Sequence, residues 1–553
     1  TTVTVPSSAG LVVGQSVING NLPAGTYIRR ILNGTQIELS AMSTNASVQN
    51  SQTLNFGAAS FANSQTINDV ALTSSATITV NPGSGSSTTR LSLGNVAGSG
   101  ALTKLGSGTL SLTGSLTYTG NTAVSAGTMD FAPVSGTSTL TGNITGSGAI
   151  TKSGNGTTIF AGGVAGNTIS GTLAVNGGTL QIGSSTTAND SSQRLTLISS
   201  ATVAPAATLV LNNSAALADG NAPITLAGNL TGDTTGIASG GFHNRLGALT
   251  MNGGTLTTYN GASLGFQAYA LRDDVAVGGS SASTVAAGGT SGNNGIHLAS
   301  SAAGVTRIFD VADATSSPAA DLIVSARLLN SSNAGEATGL TKSGAGTMLL
   351  SGTNSYTGAT NVTGGTLIVN GNISTSSLTT VAIGATLGGS GSVGATIVNG
   401  TFAPGNSPGT LTITDTLGLN GVTVMEIDGN NGAGVTGGHD FVNLTGAGAA
   451  GALTYGGALT LDMGTIFTTG SYSWDLFDMA SETGTFATIA LADPYSGNLL
   501  DADLDGVWDL TSGSNTWQFT ESTGVLGLTV VPEPNAAAII GGFGVLALLR
   551  RRR

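Results

Sequence analysis

One unit of sequence occurs three times, and its form restricts the fold more than any other feature. The first copy runs Gly100-Ala-Leu-Thr-Lys104-Leu-Gly-Ser-Gly-Thr-Leu-Ser-Leu112, with Tyr118-Thr-Gly120 and Gly127-Thr128 after it. The second runs Gly148-Ala-Ile-Thr-Lys152-Ser-Gly-Asn-Gly-Thr157, then Val175-Asn-Gly-Gly-Thr-Leu-Gln-Ile182. The third runs Gly339-Leu-Thr-Lys342-Ser-Gly-Ala-Gly-Thr-Met-Leu-Leu350, then Tyr356-Thr-Gly358 and Gly365-Thr-Leu-Ile-Val369. The chain's three lysines, Lys104, Lys152 and Lys342, all fall at this one repeat position. Short alternating runs such as Thr-Leu-Ser-Leu place apolar side chains on one face of a strand. The glycine pairs between them supply turns that need positive φ. Weaker copies occur at Leu246–Leu256 and Ala382–Leu387. Strand and turn repeated without a helical period before the last residues predicts a β-solenoid, in which each coil covers the next.

These units resemble the autotransporter-associated β-strand repeat, found in passenger domains that form right-handed parallel β-helices. The resemblance covers residues 95–183 and 338–371 well and 184–337 weakly. It implies a passenger-like solenoid. The autotransporter's own C-terminal barrel, which takes many amphipathic strands of about ten residues, has no counterpart at the end of this sequence. The repeat lysine reads as a solvated turn residue that discourages edge-to-edge stacking. The alternative is a lysine ladder that contacts an acidic polysaccharide.

Composition agrees with a small-residue β architecture. Charged residues are 8% of the chain, glycine numbers 87 and cysteine is absent, so stability must come from packing and backbone pairing. A net charge of −12 argues against a nucleic-acid partner. Residues 1–56 form a separate small β module, with alternation at Val12–Gly20, Leu22–Ile28 and Gln36–Leu39. It resembles short β repeats of bacterial surface proteins and phage tail fibres. Residues 57–400 are the solenoid. Past residue 400 the composition shifts: 15 of the 27 acids and all three tryptophans lie there. Phe402-Ala-Pro-Gly-Asn-Ser-Pro-Gly-Thr-Leu411 marks the change, with turns that tie two strands together. Residues 401–530 are therefore expected to be an aromatic-rich β cap over the last coil.

The last residues, 531–553, read as a sorting tail. Val531, Pro532, Glu533 and Pro534 precede an apolar run from Ala536 to Leu549, and Arg550, Arg551, Arg552 and Arg553 close it. Prolines block helix upstream, the apolar run enters a bilayer as a hydrophobic helix, and the arginines stop it on the cytoplasmic side. The run is shorter than the roughly 20 residues of a permanent span. The tail resembles the PEP-CTERM sorting signal of Gram-negative exported proteins. That resemblance implies an exosortase-type membrane transpeptidase as partner, cleavage near Pro532-Glu533-Pro534, transient anchoring in the inner membrane, and delivery to the surface or matrix. An exported chain also needs a charged-then-apolar leader, so the start at Thr1 is expected to be trimmed or missing.

Few residues suggest chemistry. Asp501-Ala-Asp503-Leu-Asp505-Gly506 spaces carboxylates as a calcium loop does, but the twelfth position is Ser512 instead of a bidentate Glu. His243, His297 and His439 show no metal spacing. Arg272-Asp273-Asp274 and His243-Asn244-Arg245 are the other charged clusters, and adjacent Asp273 and Asp274 on a strand would face opposite ways. The expectation is an all-β, non-enzymatic surface or matrix protein whose Thr, Ser and Asn rows meet extracellular polysaccharide or neighbouring surface proteins, with no cofactor beyond a calcium candidate. The alternatives are a polysaccharide-cleaving β-helix enzyme and a self-associating fibre subunit.

Overall fold

The structure is a computed structural model. It describes residues 2–4, 28–33, 36–39, 65–81, 89–162, 166–184, 194–213, 216–217, 221–233, 241–260, 266–289, 294–299, 304–333, 336–445 and 451–531. Among these residues every regular element is a strand. The chain divides into two compact units, one comprising residues 1–340 and 346–348, the other 341–345 and 349–553.

The first unit begins with a small antiparallel sheet in which Gln36–Leu39 lies between Thr2–Thr4 and Ile28–Asn33. Parallel ladders follow, consistent with a β-solenoid. One ladder stacks Ala76–Thr79, Leu102–Leu105, Thr122–Val124, Ile144–Gly146, Asn167–Ile169 and Leu195–Thr196. A second includes Gln65–Leu72, Arg90–Gly98, Thr109–Leu112, Thr128–Phe131, Ala149–Lys152 and Thr172–Val175 and continues to Thr306–Val311. A third runs from Thr137–Leu140 through Thr157–Phe160 and Thr179–Ile182 to Leu322–Val324. Beyond the first ladder, Gly241–Leu246, Phe266–Leu271, Asn294–His297 and Leu328–Leu329 form a fourth parallel sheet.

Residues alternate in these strands because successive side chains leave opposite faces. Ile150 and Lys152 turn inward from Ala149–Lys152, while Leu180 and Ile182 do so from Thr179–Ile182. Buried Leu, Ile and Val thus stack on their own kind one coil away, and the backbone groups pair with neighbouring coils. The repeat tyrosines extend this inner packing. Tyr118 and Tyr356 are fully buried, and each phenol bonds the threonine four residues on, at 2.6 Å to Thr122 and 2.8 Å to Thr360.

The second unit carries parallel ladders of its own. One stacks Thr360–Val362, Thr379–Val381, Thr396–Val398, Leu417–Leu419, Ala452–Tyr455 and Ser481–Gly484. Another stacks Gly365–Val369, Ala385–Gly389, Thr401–Pro404, Val422–Ile427, Ala458–Met463 and Thr488–Leu491. A third stacks Asn372–Ile373, Ser392–Val393, Thr410–Ile413, Phe441–Leu444 and Phe477–Asp478. Coil stacking therefore carries on through the compositional shift at residue 400. The antiparallel part is a four-stranded sheet of Gly470–Asp475, Val525–Val530, Asn515–Thr520 and Val507–Ser512. Its aromatic side chains make the heavier core: Trp474 stacks on Trp517, Tyr495 meets the edge of Trp517, and Phe477 meets that of Phe519. Such pairs add to stability beyond the area they bury.

Val531 closes the described chain, donating its N–H to Ser514 O. The sorting motif expected at Pro532, Glu533 and Pro534, the expected hydrophobic helix and Arg550 to Arg553 lie outside the described residues, as does most of the alternation expected in residues 12–27. No helix among the described residues is long and apolar enough to cross a membrane.

Candidate functional site

The repeat position turns its lysine inward, which corrects the expectation of a solvated residue. Lys104, Lys152 and Lys342 are each fully buried. Each lies at an inward-facing place in the last two residues of a strand, and extends its stem along the core to the carbonyls of the following glycine turn. Lys104 Nζ donates to Leu105 O at 2.9 Å, Gly106 O at 2.7 Å and, in the next coil, Ala126 O at 3.1 Å. Lys152 Nζ donates to Gly154 O and, one coil on, to Gly177 O at 2.9 Å. Lys342 Nζ donates to Ser343 O, Gly344 O and Gly364 O at 2.8–2.9 Å. The lysine thus fastens its own turn to the turn stacked on it. Alternation alone suggests the outward choice because a cation prefers water. Turn carbonyls pointing into the core make the inward choice tolerable, since a buried charge must be fully hydrogen-bonded. Burial still pushes Lys104 and Lys152 down from the ordinary lysine value to about 8, with Asp130 opposing the fall at Lys152.

Glycine is required where those turns stack. Gly127 and Gly178 have φ of 66° and 57°, and a Cβ on either would overlap carbonyl oxygens of the preceding coil's turn, Gly106 O and Gly108 O in one case, Gly154 O and Gly156 O in the other. That close approach brings the second coil's carbonyl within reach of the lysine.

The lysines also do not line up in one row. Lys104 lies in the first ladder and Lys152 in the second, so successive copies of the unit sit on different faces. A lysine ladder for acidic polymer is therefore excluded for these two on both burial and position.

Hydroxyl rows, by contrast, are present on the outer faces. The third ladder sets Thr137, Thr157, Thr179, Thr208, Asn229, Thr255 and Thr284 in register. The first ladder sets Thr77, Thr103, Ala123, Thr145 and Thr168 in register. Neighbours in such rows are about 4.8 Å apart. Asp233 is the one charged side chain in the strands of the third ladder.

The acid-base candidates behave differently from one another. Asp130 is fully buried although it alternates with the core residues Met129 and Phe131, and its Oδ2 accepts from Arg90 at 2.6 Å, Ser111 at 3.0 Å and Ser153 at 2.8 Å. This single carboxylate ties several coils together. Arg272, Asp273 and Asp274 occupy the bend between Phe266–Leu271 and Val275–Val277, which corrects their placement on a strand. Asp274 Oδ1 there accepts Ile308 N at 2.9 Å and pairs with Arg307 at 3.3 Å, a structural bond across coils. His243 and His297, 54 positions apart in the sequence, meet with ring centroids 6.4 Å apart. No spacing signal announces that meeting, because the coil length between them sets it. His439 stands apart in the second unit, its Nε2 bonded to Asp475 O at 2.9 Å.

Asp501, Asp503 and Asp505 do converge, with a carboxylate oxygen of each within 4.8 Å of the others. Oxygens of that kind suit a hard cation such as calcium. Asp501 also accepts the N–H groups of Asp505 at 3.2 Å and Gly506 at 3.1 Å, which shapes the loop.

Three segments of the chain match the passenger-associated-transport-repeat: residues 102–130, 150–182 and 340–369. Each matched segment contains or adjoins a lysine-fastened turn, and the second begins two residues before Lys152. Passenger-associated repeats mark an exported, surface-associated protein. No curated relative matches the chain.

Proposed function

We propose that this protein is a non-catalytic structural and adhesive component of the cell surface or extracellular matrix, with a right-handed solenoid as its body. The observation that carries the proposal is the register of the threonine rows. Seven coils of the third ladder present Thr or Asn at one outward position, on strands with a single charged residue. A row of hydroxyls at about 4.8 Å spacing offers many weak, equivalent contacts to an uncharged, hydroxyl-rich polymer, and weak contacts in series give avidity. Such binding should be insensitive to salt, because no charge pair drives it. Co-sedimentation of the full chain with an insoluble neutral glucan tests this. The expected result is binding that persists at 1 M NaCl and is lost in Thr157→Lys/Thr179→Lys/Thr208→Lys. Binding equal in the triple variant refutes the threonine face.

Delivery belongs to the same proposal. The Val531-Pro532-Glu533-Pro534 motif, the apolar run and Arg550 to Arg553 would direct the chain to an exosortase-type transpeptidase and then release it. Intact mass and location in a Gram-negative host, compared with Glu533→Ala/Pro534→Ala, should show a shortened surface chain in the parent and an uncut, retained chain in the variant. An uncut parent that reaches the surface as well as the variant rules out sorting by this tail.

A further inference from the structure

In the second unit, the turn Gly405-Asn406-Ser407-Pro408-Gly409 is held by a residue 31 positions away from Gly409. Asp440 is buried, its Oδ1 accepting Gly409 N–H at 2.9 Å and its Oδ2 accepting Glu426 N–H at 2.9 Å. The backbone completes both attachments, with Asp440 N donating to Glu426 O at 2.8 Å and Phe441 N to Gly409 O at 3.0 Å. Three chain segments therefore meet at one carboxyl group. Gly405, with φ of 93°, makes room for it, since a Cβ there would overlap Asp440 Oδ1.

The groups around this carboxyl are acids. Glu426 lies directly opposite Asp462 on the neighbouring parallel strand, and Asp428 follows at the end of Val422–Ile427. Like charges so placed repel. The turn itself offers no titratable group, and His439, beside Asp440 in sequence, bonds Asp475 O. No cation is near in sequence either: from Ser343 to Leu549 the chain has no lysine or arginine.

We propose that Asp440, with Glu426 and Asp428 beside it and Asp462 across from Glu426, is a proton-operated latch on the 405–409 turn, closed when Asp440 holds its proton and loosened when it ionises. Burial pushes Asp440 up to about 7, with the Glu426 and Asp428 charges acting in the same direction and the two N–H bonds opposing. Glu426 is also raised, by burial and then by Asp428 and Asp462, against a bond from Ser407. A folded value above the unfolded one means that the folded chain holds the proton more tightly. The contribution to stability is complete in acid and is lost as pH rises through about 7.

Hydrogen exchange of the full chain, read by mass on peptides covering 405–412 and 424–428 and corrected for the intrinsic rate, tests the latch. Protection should fall about tenfold between pH 6 and pH 8.5, the change expected when a single group that titrates near 7 in the folded chain gives up its proton over that interval. Peptides covering 379–389 should keep their protection. Asp440→Asn should give weaker protection that no longer varies with pH. Glu426→Gln/Asp462→Asn, which leaves Asp440 in place, should shrink the fall. Equal protection at both pH values in the parent overturns the latch, as does an undiminished fall in Asp440→Asn. Should Asp440→Asn not fold, an undiminished fall in Glu426→Gln/Asp462→Asn overturns it.

Discussion

Replacing Lys104 by methionine tests the inward lysine most directly. Methionine keeps the unbranched stem and removes the ammonium. Of the three carbonyls that Lys104 serves, Leu105 O retains Val80 N–H at 3.0 Å, so Gly106 O and Ala126 O bear the loss. A buried acceptor left unpaired costs about 1–3 kcal/mol, or about 2–6 kcal/mol for two. Against this stands the cost of burying the charge. A fall from 10.5 to about 8 makes that cost roughly 3 kcal/mol at pH 7. The net effect near neutrality is thus small, about 1 kcal/mol of destabilisation. The pH dependence is larger and has a definite sign. Because the folded value lies below the unfolded one, the penalty is complete below about 8 and disappears as pH rises towards 10.5. Parental stability should gain roughly 2.5 kcal/mol from this residue between pH 7 and pH 10, and the methionine variant should not. The difference between the two proteins should therefore widen to about 3.5 kcal/mol at pH 10. Urea unfolding followed by far-UV circular dichroism is the assay, since all three tryptophans lie in the second unit and report nothing on this one. A difference that stays constant with pH means that the carbonyls hold the ammonium at its ordinary pKa. A variant more stable than the parent at pH 10 refutes the fastening role altogether.

Two other perturbations probe the same packing. Asp130→Ala removes the acceptor shared by Arg90, Ser111 and Ser153 and should cost about 2–4 kcal/mol, less than a fully buried pair because Arg90 is 43% exposed; urea unfolding at pH 7 reads it, and a cost under 0.5 kcal/mol rejects the tie between coils. Gly178→Ala must overlap Gly154 O and Gly156 O at a φ of 57° and should cost about 2–3 kcal/mol, measured the same way, whereas an unchanged midpoint means that the turns need not approach so closely.

Much of this molecule is local, and the local part was legible. Thr-Leu-Gln-Ile at 179–182 and Thr-Thr-Ile-Phe at 157–160 are strands with alternate residues inward, as their pattern requires. The Gly-rich turns fall where positive φ is needed, at Gly106, Gly127 and Gly178 among others. The Pro-Gly-Asn-Ser-Pro-Gly segment is a turn that ties strands together, as expected. The sequence does not show that Asp440 is what holds it. The lysines illustrate the same division. Their repetition at one position shows that the residue matters, but the acceptors for Lys104 include a carbonyl 22 residues further on, in a different coil. Whether a side chain points to water or to such a carbonyl depends on which coil lies above it.

Sequence by itself determined the strand-and-turn unit, the apolar inner face and the need for glycine at the corners, because these follow from backbone sterics and from burial of every second residue. Tertiary stacking alone decided that Lys104 and Lys152 occupy different ladders, that His243 meets His297, and that Glu426 and Asp428 lie beside Asp440. The physical reason is that a parallel coil pairs with a strand a whole turn away. Its register, and hence the company of every polar side chain, is set by the length of the loops between strands and not by the residues of the strand itself.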